Sequence, residues 1–275
     1  MRILSAAVLS LSLLSFDATA SAVPTPEKTS DAALAAAIAS PTRTPAFAAR
    51  DPARHPAEEL GFFGIAPTLN VVELWPGGGY WTEILAPYLA AGHGQYTVAL
   101  PVGAGDEEDQ TVARWRAKVE AQKERLGSVK QTLAGPGHFE IAPAGSADLV
   151  LTFRNIHNWM EGGYAEEMLA ASFRALKPGG ILGIEGHRGR TDRPQDPKAG
   201  SGYVREDYVI ALAKKAGFEL DGRSEVNANP KDTKDWVDGV WTLPPTLSQK
   251  DKDRERYVAI GEADNFVLKF RKPAR

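Results

Sequence analysis

The chain alternates short apolar runs with longer amphipathic runs from Leu69 to its carboxyl end. The apolar runs predict seven β-strands, near Asn70–Leu74, Gln95–Leu100, Val129–Leu133, Ala147–Phe153, Gly180–Glu185, Glu219–Val226 and Phe266–Arg271. The amphipathic runs predict helices near Trp81–Ala90, Asp106–Leu126, Tyr164–Leu176 and Arg205–Ala216. Strands that alternate with helices are typical of βαβ units around a parallel sheet. The pattern therefore predicts an α/β fold with one doubly wound, seven-stranded sheet.

Two segments lie outside this alternation. Residues 23–68 contain a short alanine-rich helix, Asp31–Ala39, and then several prolines. Because proline interrupts helices, we expect an N-terminal arm lying on the main domain, which spans residues 69–275. Residues 229–265 form a long insertion before the last strand, and its tryptophans and prolines favour a packed lid over a free loop.

The first 22 residues have the composition of a secretory signal peptide. A single arginine, Arg2, precedes an apolar run from Ile3 to Leu14, and small residues follow at Ala18, Ala20 and Ala22. About 12 apolar residues are too few for a membrane span, which needs roughly 20. We therefore predict cleavage of residues 1–22, a periplasmic or secreted protein, and no stable membrane insertion after cleavage.

Charge and cysteine content exclude several kinds of function. The formal net charge is −3 and the isoelectric point is about 6.0, so no basic field favours nucleic acid, and we expect a small-molecule ligand instead. The chain has no cysteine, which excludes disulfides, thiolate metal sites and cysteine nucleophiles.

The stretch VVELWPGGGYWTEIL, residues 71–85, predicts a strand, a glycine turn and a helix. Glycines allow a turn with positive φ and a close approach of backbone to ligand, and the amides at a helix N-terminus favour negative charge. This turn follows the first strand of the predicted sheet. Ligands bind at the carboxyl ends of such strands, so the position favours a ligand site over a purely structural turn.

Together with GSADLVLTFRNIHNWM, FRALKPGGILGIEGH and KKAGFEL, this stretch resembles the class I S-adenosylmethionine-dependent methyltransferases. It is most similar to a bacterial group of that superfamily with a WPGGG first motif, over roughly residues 70–273. The resemblance implies a Rossmann-like sheet with strand order 3-2-1-4-5-7-6 and an antiparallel final strand. It also implies that the first motif binds the methionine part of the cofactor, through Glu73, Gly77, Gly78, Gly79 and Tyr80.

The sequence departs from the superfamily pattern at three points. Trp75 stands where the first glycine is usual. The second strand ends in Leu100 and Pro101, without the acid that commonly binds the ribose, and no acid precedes Asp106. The third strand is also not followed by the acid that often meets the adenine amine. Because each missing partner costs about 1–3 kcal/mol, we predict that S-adenosylmethionine binds weakly or that its binding has been lost.

Polar and aromatic residues follow the fourth and fifth strands, where methyltransferases of this class bind substrate. We predict a catalytic group with His157 as general base, assisted by Asn158 and Arg154. We predict substrate contacts from Asn155, Trp159, His187 and Tyr203. An alternative is a metal site formed by His157, His187 and Glu185, but ligands on separate strands are a weak signal, and we predict no metal.

Two functions remain open on these grounds. The first is an exported S-adenosylmethionine-dependent methyltransferase acting on a small molecule or an envelope component. The second is a protein of the same fold that has lost the cofactor and binds another small ligand in the same cleft. The similarity of the motifs makes the first the leading interpretation. The missing acids and the predicted export favour the second, because the cofactor is made in the cytoplasm.

Overall fold

The computed structural model describes residues 32–102 and 110–274. Its strands are β1 (Asn70–Leu74), β2 (Gln95–Pro101), β3 (Val129–Ala134), β4 (Ala147–Phe153), β5 (Leu176–His187), β6 (Glu219–Ser224) and β7 (Asn265–Arg271). Its α-helices are α1 (Ala32–Ile38), α2 (Pro45–Ala48), α3 (Asp51–Arg54), α4 (Pro56–Phe63), α5 (Thr82–Ala91), α6 (Gln110–Ala121), α7 (Lys123–Leu126), α8 (Ile156–Gly162), α9 (Ala165–Ala175), α10 (Glu206–Lys215) and α11 (Arg254–Ile260). The predicted signal peptide, residues 1–22, lies outside the described residues.

The seven strands form one sheet in the order β3-β2-β1-β4-β5-β7-β6. The pairs from β3 to β5 are parallel, and β7 is antiparallel to both β5 and β6. This confirms the predicted fold class and strand order. The carboxyl ends of β1, β4 and β5 therefore adjoin at one edge of the sheet, and β7 begins at that same edge.

One hydrophobic cluster lies on each face of the sheet. Alternate residues of β1 point to opposite faces, so Val71 packs with α1, α4 and α5, whereas Val72 packs with α8, α9 and α10. Both faces are covered, as expected for a parallel sheet, whose strands read as nearly continuous apolar runs. No helix among residues 32–102 and 110–274 is long and apolar enough to cross a membrane.

The predicted strand positions agree closely with the structure, and the helices differ more. The predicted helix Asp106–Leu126 is divided at Gln122 into α6 and α7, and its first residues lie outside the described part of the chain. The arm is more helical than expected. Its prolines stand in the first turns of α2, α3 and α4, where a helix needs no amide donor, so they start helices there.

The segment between β6 and β7 has a small hydrophobic core of its own. Val240, Leu243, Tyr257 and Ala263 are buried there together with Tyr203. The carboxylate of Asp232 joins the segment, because it accepts hydrogen bonds from the Tyr203 hydroxyl at 2.9 Å and from the Trp236 indole at 2.7 Å. These contacts hold the segment over the edge where β4 and β5 end.

Candidate functional site

The turn after β1 keeps a glycine-like backbone even at the tryptophan. Trp75 has a φ of 54°, close to the 55° of Gly77, and Gly79 follows at 91°. A left-handed conformation costs a non-glycine residue roughly 1–2 kcal/mol. The tertiary structure therefore holds Trp75 in the conformation that the usual glycine would adopt freely.

The arm and α6 cover one side of this turn. The Trp115 indole donates to the carbonyl of Gly77, and the Lys118 ammonium donates to that of Gly78, both at 2.6 Å. The ring of Phe47 also packs on Gly78. The other side is open, because Gly77 is exposed and a methyl group built on its Cα would meet no atom within 4 Å.

The acidic residue of the first motif lies inside the protein. Glu73 is 1% exposed, and its carboxyl accepts hydrogen bonds from the hydroxyls of Tyr96 and Thr82. Burial raises the pKa of Glu73 to about 7, although these two hydrogen bonds oppose the shift. Tyr80, another predicted cofactor contact, is also buried, and its hydroxyl donates to Asp51 of the arm at 2.6 Å.

The side chain of Trp75 extends along the sheet edge toward β3. Its indole N–H donates to the carbonyl of Ala134, the last residue of β3, at 2.8 Å. Its ring meets that of Trp159 edge-to-face at 6.3 Å. The indole therefore binds the strand end beside which the resemblance places the adenine.

Asn155 joins the ends of two strands. Its side-chain amide donates to the carbonyls of Leu74 and Trp75 at 3.0 and 3.1 Å, and to the Thr152 hydroxyl at 3.2 Å. The amide is thus used within the fold. The consequence is that the end of β4 is fixed directly beside the turn after β1.

A cavity of about 250 Å³ lies beyond the ends of β4 and β5. Of the predicted site residues, Arg154, His157 and His187 line it. The two imidazole rings are 5.5 Å apart. Burial, together with the charge of Arg154, lowers the pKa of His157 to about 4, and burial also lowers that of His187. Both imidazoles are therefore neutral near pH 7, and their surroundings disfavour the protonated form.

The arm contributes two arginines to this cavity, Arg50 and Arg54, and both face Glu262 from the segment before β7. Arg50 donates to both carboxylate oxygens, at 2.7 and 2.8 Å, and Arg154 donates to one of them at 3.0 Å. Burial favours the neutral form of Glu262, but the Arg50 hydrogen bond and the neighbouring charges outweigh it and lower its pKa.

Glu185 and Glu59 lie below these arginines. Glu185 is within 3.5 Å of Arg154 and accepts a hydrogen bond from Asn227 at 3.1 Å. Burial and the charge of Glu185 raise the pKa of Glu59 well above its usual value. No group of three or more His, Asp or Glu residues in the described ranges is arranged to hold a metal.

Several predicted contacts do not face the cavity. Trp159 is fully buried against Trp75, and Tyr203 is bonded to Asp232 within the segment before β7. Asn158 is half-buried and lies outside the residues that line the cavity. Sequence reasoning missed Arg50, Arg54 and Glu262. The two arginines are spaced by one helical turn, which indicates that they lie on the same side of a helix. Nothing in the sequence indicates which strand ends they meet.

The fold and site together define a Rossmann-like methyltransferase fold, with the glycine turn after β1 beside a cavity at the ends of β4 and β5. Solved structures with this fold include an S-adenosylmethionine-dependent methyltransferase from Aquifex aeolicus, with 16% identity, a TM-score of 0.53, and coverage of 82% of this chain and 93% of that chain. Another is the [4+2]-cyclase SpnF, with 15% identity, a TM-score of 0.52, and coverage of 83% and 82%. No protein-family model and no curated protein matches the sequence.

The residues at and beside the turn fit the methionine part of S-adenosylmethionine but not its nucleoside part. Exposed Gly77 and Gly78, with open space at Gly77, suit the methionine part. At the nucleoside part, the Ala134 carbonyl is already bonded to Trp75, and β2 ends in Leu100, which is fully buried, and Pro101. Asp106, the first acid after β2, lies outside the described residues.

Proposed function

We propose that this chain is an exported methyltransferase that transfers a methyl group from S-adenosylmethionine to a small molecule in the cavity. The observation that carries the proposal is the juxtaposition made by Asn155, which fixes the turn after β1 beside the strand end that bears Arg154 and His157. A donor at the turn and an acceptor in the cavity would then be neighbours. We further propose membership of the bacterial group with the WPGGG motif.

Different residues of this chain would bind the cofactor and contact the acceptor during methyl transfer. Gly77 and Gly78 let the backbone approach the methionine part of the cofactor, and Gly79, which is buried against Trp115 and Lys118, allows the positive φ of the turn. Bound S-adenosylmethionine would supply an electrophilic methyl group. His157 is neutral near pH 7 and would accept a hydrogen bond from the acceptor atom, but a pKa of about 4 makes it a weak general base, so it suits an acceptor whose own proton is readily lost. The buried surroundings of the cavity would limit access of water.

A second candidate function is binding of another small ligand without the cofactor. The hydrogen bond from Trp75 to Ala134 favours it, because the indole already uses the carbonyl at the end of β3. One structural neighbour is named as a [4+2]-cyclase, and a fold of this kind can host more than one type of reaction. The predicted export favours the same alternative.

Calorimetric titration with S-adenosylmethionine and its demethylated product separates the two candidates. The first predicts saturable binding with a dissociation constant on the order of tens to hundreds of micromolar, since the usual nucleoside partners are missing. Gly77→Ala should weaken that binding about tenfold or more, because its methyl group projects into the open side of the turn.

Gly145→Ala is the matched control. Gly145 has a φ of 65° and equally open surroundings, but it precedes β4 at the opposite edge of the sheet. Both variants carry similar backbone strain, so a loss confined to Gly77→Ala shows a ligand at the turn. Absence of binding at millimolar cofactor to the folded protein would reject methyl transfer and favour the second candidate.

A further inference from the structure

The cavity combines apolar walls with an unusual concentration of arginine. Its apolar lining comes from Phe153, Val240, Trp241, Pro244 and Pro245. Its charged lining comes from Arg50, Arg54, Arg154 and Glu262. A volume of about 250 Å³ is slightly below the usual range for drug-sized ligands, so the occupant is a small molecule.

The single lining carboxylate does not satisfy all three arginines. Arg50 occupies both oxygens of Glu262, and Arg154 shares one of them. Arg54 approaches only to 3.6 Å through Nε, which is beyond hydrogen-bond distance, and this buried Nε has no hydrogen-bond partner among the described residues. Arg54 is 5% exposed, so water does not replace the missing partner fully.

Among the described residues, no hydrogen bond joins Arg54 to the carboxyl groups behind the lining. Glu185 lies beside Arg154, and burial together with the charge of Glu185 raises the pKa of Glu59 well above its usual value, which disfavours its charged form. His157 and His187 are neutral. The guanidinium of Arg54 lies over the ring of Tyr80, 4.3 Å from its centroid, and Arg43, near the same ring, is paired with Asp51. Glu262, at 3.6 Å and shared with Arg50 and Arg154, is therefore the carboxylate that pairs with Arg54 among the described residues. A buried cation with so weak a counterion is costly, and burial together with the charge of Arg154 lowers the pKa of Arg54 to about 9.

We propose that the cavity binds a small organic anion whose carboxylate or phosphate group pairs with Arg54 and whose apolar part packs between Phe153 and Trp241. Trp241 lies against His157, with ring centroids 5.9 Å apart, so the apolar part of the ligand reaches the imidazole. If the proposed function holds, on which this step rests, the anion is the methyl acceptor. A guanidinium fork suits either head group, because both offer paired oxygens.

Benzoate, benzamide and phenyl phosphate test the inference by calorimetric titration without cofactor. Benzamide has the shape of benzoate but no charge, so benzoate should bind about tenfold or more tightly than benzamide. Binding of phenyl phosphate in place of benzoate would identify the head group as phosphate. Equal binding of the acid and the amide, or no saturation by either acid at millimolar concentration, would overturn the inference.

Variants at Arg54 localise the site. Arg54→Gln should weaken binding of the preferred acid about tenfold or more, Arg54→Lys should restore part of it, and Arg223→Gln, an exposed arginine on β6, should have no effect. An unchanged affinity in folded Arg54→Gln contradicts the assignment. If the acid binds through Arg54 but S-adenosylmethionine does not bind, the anion site is supported and methyl transfer is rejected. If S-adenosylmethionine binds but the acid does not, only the anion site is rejected.

Discussion

Glu73→Gln provides a quantitative test of the buried hydrogen-bond group below the turn. Glu73 is 1% exposed, its carboxyl is bonded to Tyr96 and Thr82, and its pKa is raised from 4.5 to about 7. Glutamine imitates the protonated acid in shape and cannot ionise. The variant should therefore resemble the wild type at low pH and differ from it increasingly as the pH rises.

The sign and size of the change in unfolding free energy follow from proton linkage. Between pH 4.5 and about 7 the folded state holds a proton on Glu73 that the unfolded state has lost, so stability falls as the pH rises. A shift of about 2.5 units at 1.36 kcal/mol per unit gives a total loss of about 3.4 kcal/mol. About 2.5 kcal/mol of that loss falls between pH 5 and pH 8.

Urea denaturation of both proteins across this pH range measures the effect. The unfolding free energy of Glu73→Gln minus that of the wild type should increase by about 2.5 kcal/mol from pH 5 to pH 8. The low pKa values of His157 and His187 act on both proteins and cancel in this difference. Glu124→Gln, at an exposed position on α7, is the control and should show no such slope. A flat difference for Glu73→Gln would refute the claim that burial keeps Glu73 protonated.

Two further predictions concern the tryptophan of the turn and the amino terminus. Trp75→Phe should lower the unfolding free energy by about 1–2 kcal/mol, because it removes the hydrogen bond to Ala134, whereas Trp75→Gly should relieve the left-handed strain and increase affinity for S-adenosylmethionine. Denaturation and titration measure both changes, and unchanged cofactor affinity in folded Trp75→Gly would show that the indole does not restrict the nucleoside part. Intact-mass measurement of protein from a native envelope fraction should show loss of residues 1–22, and a full-length cytoplasmic protein would contradict export.

The sequence by itself determined the sheet and the place of the turn. Strand positions follow from apolar runs that are local in the chain, and two of them, Asn70–Leu74 and Ala147–Phe153, have the same bounds as β1 and β4. The resemblance supplied the strand order, which periodicity does not encode. The local pattern of apolar and polar residues thus predicts which residues form strands and helices, because strand and helix periods depend on neighbouring residues.

Only the tertiary structure decided which polar side chains face the ligand. Asn155 and His157 are two positions apart, yet one is bonded to strand carbonyls inside the fold and the other lines the cavity. Arg50 meets Glu262 across a separation of 212 residues, and Trp75 reaches Ala134 across 59. The physical reason is that packing between distant segments sets the partner of each side chain. The same residue types therefore form hydrogen bonds within the fold or contact a ligand, according to where the folded chain places them.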